Sequence, residues 1–545
     1  MPCYLMNIPV LMDELRVESS NFCKNLRNIY GLEKFNLQRE RYKTAIERFR
    51  RLYPKSSDVH VARAGGRLLI SGEHLDYHHG FILNTALTED IVVISSLNDG
   101  GFCFANMDSQ FELFKIGSVN DVKIFAKPKR ELTWKDYGCA TIKKLGDCLK
   151  SIGVCMQGIN FLVDGREEFG AVPIGVGLSS SGAFEVALIS AALGAIGKQE
   201  KVSASEISNL CVSIESALGF VSGIQDPYGS LMGGNEIERG KFVQLIDCIP
   251  KKDNLGKFKV NSELITLPNR YVSYIVRVGD KKTTADGRDR HNVRVFEGEI
   301  GTFLLNRMLL KWIDENIEGL DNEKLISSYN SEIFGAENAG YPPFWKVSYL
   351  LNSNLNKIGL SSDEEIIRGL AEFLPKGLSR EEIIERYYHL GITGQIFDDF
   401  IKKCQVISPF DLKYDIRGTV IHVLEENERT KLSAEALKKR DMGVFFELQK
   451  ETGKSLGKHY HIYNQLSNEL EKELSNLNMV SAARVLGPGS GANVLVWARE
   501  EDEFKLIREI ERIGEQKLGW KEIPFEKRKQ FMIKLSPGKG AGLIV

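Results

Sequence analysis

The period at which apolar residues recur changes several times along this chain, and each change marks an element. Over residues 1 to about 56 apolar positions return every three or four residues, ending in the basic run YKTAIERFRRLYPK, which predicts an amphipathic helical lead-in. From Val59 the period shortens to two. HVARAGGRLLIS and FILNTALTEDIVVISSL read as strands and GFCFANMDSQFELFKI as a hairpin. ELTWKDYGCATIKKLGDCL returns to helical spacing, with Trp134 and Tyr137 placed either to pack or to flank a base. A strand, GINFLVDG, then leads into PIGVGLSSSGAF and the unbroken apolar run AFEVALISAAL. After the helical ISNLCVSIESALG come three strand candidates, KFVQLIDC, KFKVNSELITL and YVSYIVRVG, which suggest a second sheet or a crossing between domains. From about Phe296 to Asp415 the pattern is helical, with GLSREEIIERYYHL a capped amphipathic helix. Residues 417 to 457 give two more helices, and ARVLGPGSGANVLVWA is a strand, a glycine loop and a strand.

Composition narrows the class. The 545 residues, 43% apolar and 27% charged, suit a soluble globular chain of two to four domains. A formal net charge of -1 offers no electrostatic footing for nucleic acid or an anionic membrane. The longest apolar stretch, Ala171 to Gly197, carries three serines, several glycines and Glu185, which fits a buried helix better than a membrane span. Nine scattered cysteines without a C-x-x-C pair are most simply reduced thiols, and the N-terminus lacks the pattern of a secretory signal. Both point to a cytoplasmic setting.

Four stretches carry candidate chemistry. In Pro173–Phe184, Gly175 and Gly177 precede Ser179, Ser180 and Ser181 at a helix start, where free N–H groups and a partial positive charge hold phosphate. No Lys-Ser or Lys-Thr pair closes the run, so it is not the common P-loop, and a serine cap on a buried helix is the competing use. Glu73, His74, Asp76, Tyr77, His78 and His79 cluster after a strand and supply the donors and acceptors a polyhydroxylated ligand needs. Metal ligation fits less well, because the adjacent histidines do not readily converge on one ion. Asp226 stands between Gly223 and Gly229, where backbone can approach a ligand closely, though an Asp before Pro227 also serves as a turn residue. The loop Gly487–Gly491 either closes over phosphates or simply turns between strands.

Taken together, GRLLISGEHLDYHHG, PIGVGLSSSGAF, SGIQDPYGSLMGG and RVLGPGSGANV resemble, in order, the four motifs of the galactokinase branch of the GHMP small-molecule kinases. HVLEENERT and PGKGAGLIV are similar to further segments, so the resemblance runs from about Val59 to Val545, interrupted between Arg294 and Arg417. It implies an α+β fold with a ribosomal-S5-like N-terminal domain, a ferredoxin-like C-terminal domain and an active site between them. The expected divisions are a helical extension at 1–56, the first domain at 57–250 and the second at 251–545, with a helical insertion about 296–415.

The resemblance also implies roles. Asp226 would take the proton of the sugar's anomeric hydroxyl, with Arg67 beside it. Glu73, His74, Asp76, Gly223 and His291 would bind the sugar. Pro173, Gly175, Gly177, Leu178, Ser179, Ser180, Ser181, Gly487, Gly489 and Gly491 would bind ATP, and Ser181 with Glu215 would hold Mg2+. The chain departs from the family at Pro227, where Gln is usual, in a link from Glu215 to Asp226 one residue shorter, and at His291, where Tyr is common. His78 and His79 also replace smaller or amidic residues. Galactose is the expected substrate, with N-acetylgalactosamine or another sugar as alternative. A sensor of sugar and ATP that regulates a protein partner is the reading from another class; under the enzyme readings no protein, nucleic-acid or membrane partner is expected.

Overall fold

The computed structural model describes residues 6–124, 132–232, 241–252, 258–277, 284–316, 363–407, 412–462, 465–487, 493–524, 528, 531–535 and 537–543. The lead-in forms α1 (Ile8–Arg16) and α2 (Asn21–Leu52), the latter capped by the Ser20 hydroxyl, which accepts from the Cys23 N–H at 3.1 Å. Phe22, Tyr42, Ile46 and Phe49 of α2 pack on Val59, Val61, Val92 and Ile94, so the extension covers one face of a sheet.

That sheet has nine strands. Its main path runs β1 (Met6–Asn7), β2 (Asp58–Ser71), β3 (Phe81–Asn98), β6 (Gly158–Asp164), β4 (Phe102–Asn106), β5 (Phe114–Ile116), antiparallel except for β4 beside β6. β3 serves two partners: Val92–Asn98 pair with β6, while Phe81–Asn84 pair with β7 (Lys241–Lys252). β7 folds back on β8 (Phe258–Leu267), and Gly542 and Leu543 return from the chain's end to pair with β2. On the opposite face lie α3 (Trp134–Ser151), α4 (Ser180–Ala195), α5 (Ala204–Ala217) and the short α6 (Gln225–Leu231). Helix α4 is buried nearly all round, which is why its sequence is apolar without a polar stripe.

A second, fully antiparallel sheet has the order Val480–Leu486, Asn493–Arg499, β9 (Tyr271–Val276), Met532–Lys534. Against Leu69, Ile82, Ile246 and Val260 of the first sheet, α7 (Thr284–Asn316), α8 (Asp363–Ala371), α9 (Arg380–Tyr387) and α10 (Gly394–Lys403) gather around Phe296, Phe397, Phe400 and Tyr414. Helix α11 (Ile416–Lys439) rests on β3 and β8, and α12 (Met442–Lys458) on the strand Val480–Leu486.

The expected domain edge at 250 falls inside β7. The register from Lys241 opposite Leu267 to Lys252 opposite Phe258 keeps β8 in the first sheet, so the second sheet starts only at Tyr271. The helical layer expected from about 296 begins at Thr284, and 317–362 lie outside the described residues. No helix among the described residues is long and apolar enough to cross a membrane, and no disulfide joins the described cysteines.

Candidate active site

Asp226 sits in the first turn of α6, and Arg67 in the middle of β2 opposite Ala86. The Arg67 guanidinium donates to Asp226 Oδ1 from Nη2 at 2.6 Å and from Nε at 2.8 Å, and from Nη1 to the Gly177 carbonyl at 2.6 Å. Its backbone N–H donates to the Leu178 carbonyl at 3.0 Å, which ties the strand to the glycine loop. The Asp226 side chain is 37% exposed against 10% for Arg67, so the carboxylate is reached from the cleft while the guanidinium is packed behind it.

Around this pair the cleft is lined on one side by Glu73, His74, Asp76, Gly223 and His291. Glu73 is buried and accepts from Arg484 Nη1 at 2.7 Å; burial pushes its carboxyl up and Arg484 opposes that. The wholly buried Arg484 also donates to the Leu69 and Ile70 carbonyls and to Gln449, pinning the second sheet to β2. His74 takes a left-handed φ of 65°. Its Nδ1 shares a hydrogen at 2.6 Å with the Tyr77 hydroxyl, which meets the Tyr460 hydroxyl at 2.9 Å, and its ring stacks on Tyr460 at 4.4 Å. Burial, with His291 nearby, holds His74 far below its ordinary titration range, so the ring is neutral, and its Nε2 has no hydrogen-bond partner among the described residues.

Burial, then the nearby Asp226, raises the Asp76 carboxyl to about 7. A Cβ on residue 223 would lie 2.5 Å from Asp76 Oδ2, so only glycine fits there. His291 Nε2 donates to the Val221 carbonyl at 2.8 Å, and the ring stands edge-on to Tyr77. His78 and His79 do not line the cleft. His78 is fully buried over Gly298 of α7, and His79 Nδ1 faces the Cys248 carbonyl at 3.1 Å. The expectation that they sit beside the ligand is corrected, because the turn after β2 aims only the earlier part of the cluster inward.

On the other side, Gly175 and Gly177 take φ of 75° and 78°, in the left-handed region, and carry the loop from buried Pro173 and Leu178 to the start of α4. Ser179 precedes α4 with φ 57°, yet its side chain makes no cap bond and its Oγ is buried without a partner. The serine-cap alternative is therefore not what the loop does. Ser180 opens the helix, and the Ser181 hydroxyl bonds to Glu215, whose carboxyl is raised by burial and then by Asp226. The shorter link to Asp226 thus still brings Glu215 into the cleft. Gly487 approaches the loop closely: a Cβ on it would sit 3.5 Å from the Gly177 Cα. Gly489 and Gly491 lie outside the described residues. Trp134 packs among Phe104, Phe111 and Phe114, whereas Tyr137 lines the cleft.

Among the described residues no group of three or more His, Cys, Asp or Glu could hold a metal ion alone. Ser181 and Glu215 offer one hydroxyl and one carboxylate, which fits Mg2+, an ion that keeps waters and phosphate oxygens as its remaining ligands.

Four participants escaped the sequence reading. Arg484 lies inside the quoted RVLGPGSG motif, three residues before Gly487, but its partner Glu73 is far away in sequence. Tyr460 carries no local signal. Glu185 is one helical turn beyond Ser181, fully buried, its carboxyl raised by burial and by Glu215. Arg288 lines the cleft three residues before His291, a spacing that puts both on one helix face.

Comparison with known proteins agrees with this geometry. The profile for the galactokinase galactose-binding signature matches residues 47–97, and that for the GHMP kinases N terminal domain matches 139–234. A galactokinase of Candida parapsilosis is 26% identical over 523 residues, covering 93% of this chain and 94% of its own. A galactokinase of Candida albicans is 27% identical over 278 residues, half of each chain. The solved structure of Lactococcus lactis galactokinase complexed with galactose shares the fold, with a TM-score of 0.57 at 18% identity over 91% of this chain and 97% of that one. The two-domain α+β architecture is that of a GHMP kinase. The chain belongs to the galactokinase branch of that family.

Proposed function

We propose that this chain transfers the γ-phosphoryl group of ATP to the anomeric hydroxyl of galactose, giving galactose 1-phosphate and ADP. The observation that carries the reading is the Asp226 carboxylate, held on Arg67 at 2.6 Å where the sugar-type and phosphate-type walls of the cleft meet. In the step, a bond forms between the sugar oxygen and phosphorus, the bond from phosphorus to the ADP oxygen breaks, and the hydroxyl proton passes to Asp226. Both Arg67 contacts fall on Oδ1, which leaves Oδ2 to take the proton. With a loose transition state the proton leaves late, so an ordinary carboxylate suffices and alignment does most of the work.

Glu73, Asp76, His291 and the unpartnered His74 Nε2 would bind the sugar hydroxyls, with Gly223 giving them room. The loop Pro173, Gly175, Gly177, Leu178, Ser179, Ser180 and Ser181, with Gly487, Gly489 and Gly491, would hold the triphosphate on the N-terminus of α4. Ser181 and Glu215 would hold Mg2+, which when bound neutralises phosphate charge. The first domain, the second domain with its helical insertion, and a cytoplasmic setting argued from the scattered cysteines belong to the same proposal.

The test is ADP release from Mg-ATP across galactose, N-acetylgalactosamine, glucose, arabinose and myo-inositol, with Asp226→Asn as control. Galactose should turn over fastest, and the control should be silent. Preference for another sugar would overturn the substrate, and silence across the panel from a folded, ATP-binding chain would overturn the kinase.

A further inference from the structure

Among the described residues, two that line the cleft carry a permanent positive charge, Arg67 and Arg288. Arg67 is occupied: Asp226 takes two of its nitrogens and the Gly177 carbonyl the third. Arg288, near the start of α7, is only 8% exposed but nearly unmatched. Among the described residues its one hydrogen bond is a long 3.4 Å contact from Nη1 to the Leu218 carbonyl. Its guanidinium lies 5.6 Å from the Phe220 ring centroid, and no carboxylate among the described residues comes within 4 Å. Glu215 and Tyr137 line the same recess as Arg288, and the guanidinium forms no ion pair with Glu215 or Glu185 among the described residues.

A buried guanidinium with most of its five donors unspent is costly unless an anion completes it. No anion among the described residues does so, and an uncharged sugar cannot. The Asp226 carboxylate, joined by Glu215 when that is ionised, would on its own repel a triphosphate, and the planar fork of Arg288 matches two oxygens of one phosphoryl group. Of the three phosphates, the one that moves must pass beside Asp226 and Glu215, the groups that share this recess with Arg288. We propose that Arg288 donates to the γ-phosphoryl oxygens of ATP, a second guanidinium that binds the transferred group while Arg67 stays on Asp226. This rests on the kinase reading above.

Two measurements separate the inference from that reading. Calorimetric binding of ATP and of ADP, with Mg2+, to the full chain and to Arg288→Ala should show ATP weakened about tenfold or more and ADP by less than twofold; retained ADP binding also reports a folded variant. Steady-state kinetics with galactose should show kcat lowered about 10²–10³-fold with the galactose KM within about threefold. Arg288→Lys, which keeps the charge but not the fork, should fall between and carries the test if the alanine variant does not fold. Equal loss of ATP and ADP, or kcat within about threefold of the parent, overturns the role of Arg288. A parent chain that binds ATP but phosphorylates no sugar overturns the kinase reading instead, and the split between ATP and ADP still decides where Arg288 acts.

Discussion

Two regions of this chain bury several charges, and they resolve that burial in opposite ways. Under the N-terminal helices Asp90 is wholly enclosed, with Arg41 Nη1 at 2.7 Å, Arg63 also paired to it, and the Tyr30 hydroxyl donating to it. Burial would raise that carboxyl, but Arg63 and Arg41 hold it below its ordinary value. Asp76 and the half-buried Glu215 line the cleft and Glu185 is enclosed beside it, yet no Lys or Arg among the described residues lies within ion-pair distance of them, and each is pushed up, by burial first and a neighbouring carboxylate second. A carboxyl drawn out of water is thus structural where it is paired and held in tension where it is not. The lesson is that unpaired burial, more than burial itself, marks the ligand site.

The comparison breaks first at its functional extreme. Asp226→Asn should lower kcat about 10³-fold or more, with the galactose KM little changed, because in the proposed reaction the group would act on the reacting proton and not on binding. Rapid-quench measurement of sugar phosphate gives the number; a KM effect larger than the kcat effect would move Asp226 out of the chemistry. The structural extreme should respond in the other currency. Asp90→Asn leaves Arg41 and Arg63 buried without their carboxylate, and urea unfolding should show a loss of about 3–5 kcal/mol while kcat per folded molecule stays the same. Unchanged stability would mean that the cluster is not the clamp its geometry suggests.

Glu185→Gln sharpens the contrast at smaller scale. The carboxyl is raised in the folded protein, so its favourable contribution is present below the unfolded value and is lost as pH climbs through the folded one. Relative to the parent, the glutamine variant should therefore gain stability between pH 5 and pH 8, read from thermal unfolding at both. A gain at pH 5 that disappears at pH 8 would reverse the sign and sink the assignment.

How much of this could be read from sequence follows the distance between partners. The glycine-serine loop, the acidic cluster after β2, the helical ISNLCVSIESALG and the glycine-flanked Asp226 are local patterns, and the structure brings their Ser181, Asp76, Glu215 and Asp226 to one cleft. The period-two run of KFKVNSELITL identified β8 as a strand, but its sheet is decided by pairing with β7, which no local spacing encodes. Arg484 and Glu73 are 411 residues apart, and Tyr460 reaches Tyr77 across 383, so these braces appear only once the two sheets meet. His78 and His79 looked equivalent to His74 because a turn's exit direction is invisible until its backbone is built.

The smallest expected effect tests the cleft side of the comparison most directly. Burial, then Asp226, brings the Asp76 carboxyl to about 7, so it gains and loses its proton within the working range. As an anion it accepts sugar hydroxyls with both oxygens; protonated, it gives up part of that capacity. The kcat/KM for galactose should accordingly fall as pH drops below about 7, approaching tenfold per pH unit. Asp76→Asn, which accepts through one oxygen at any pH, should lack this limb and show a KM about tenfold higher, the size of one charge-assisted hydrogen bond. The linkage sign must agree. With a folded value above the unfolded 3.8, the ligand-free protein should lose stability as pH rises through about 7, and saturating galactose should restore more at pH 8 than at pH 5.5. A parent profile flat from pH 5.5 to 7.5, or an asparagine variant that keeps the limb, would assign the titration to another group and leave Asp76 a packed residue under Gly223.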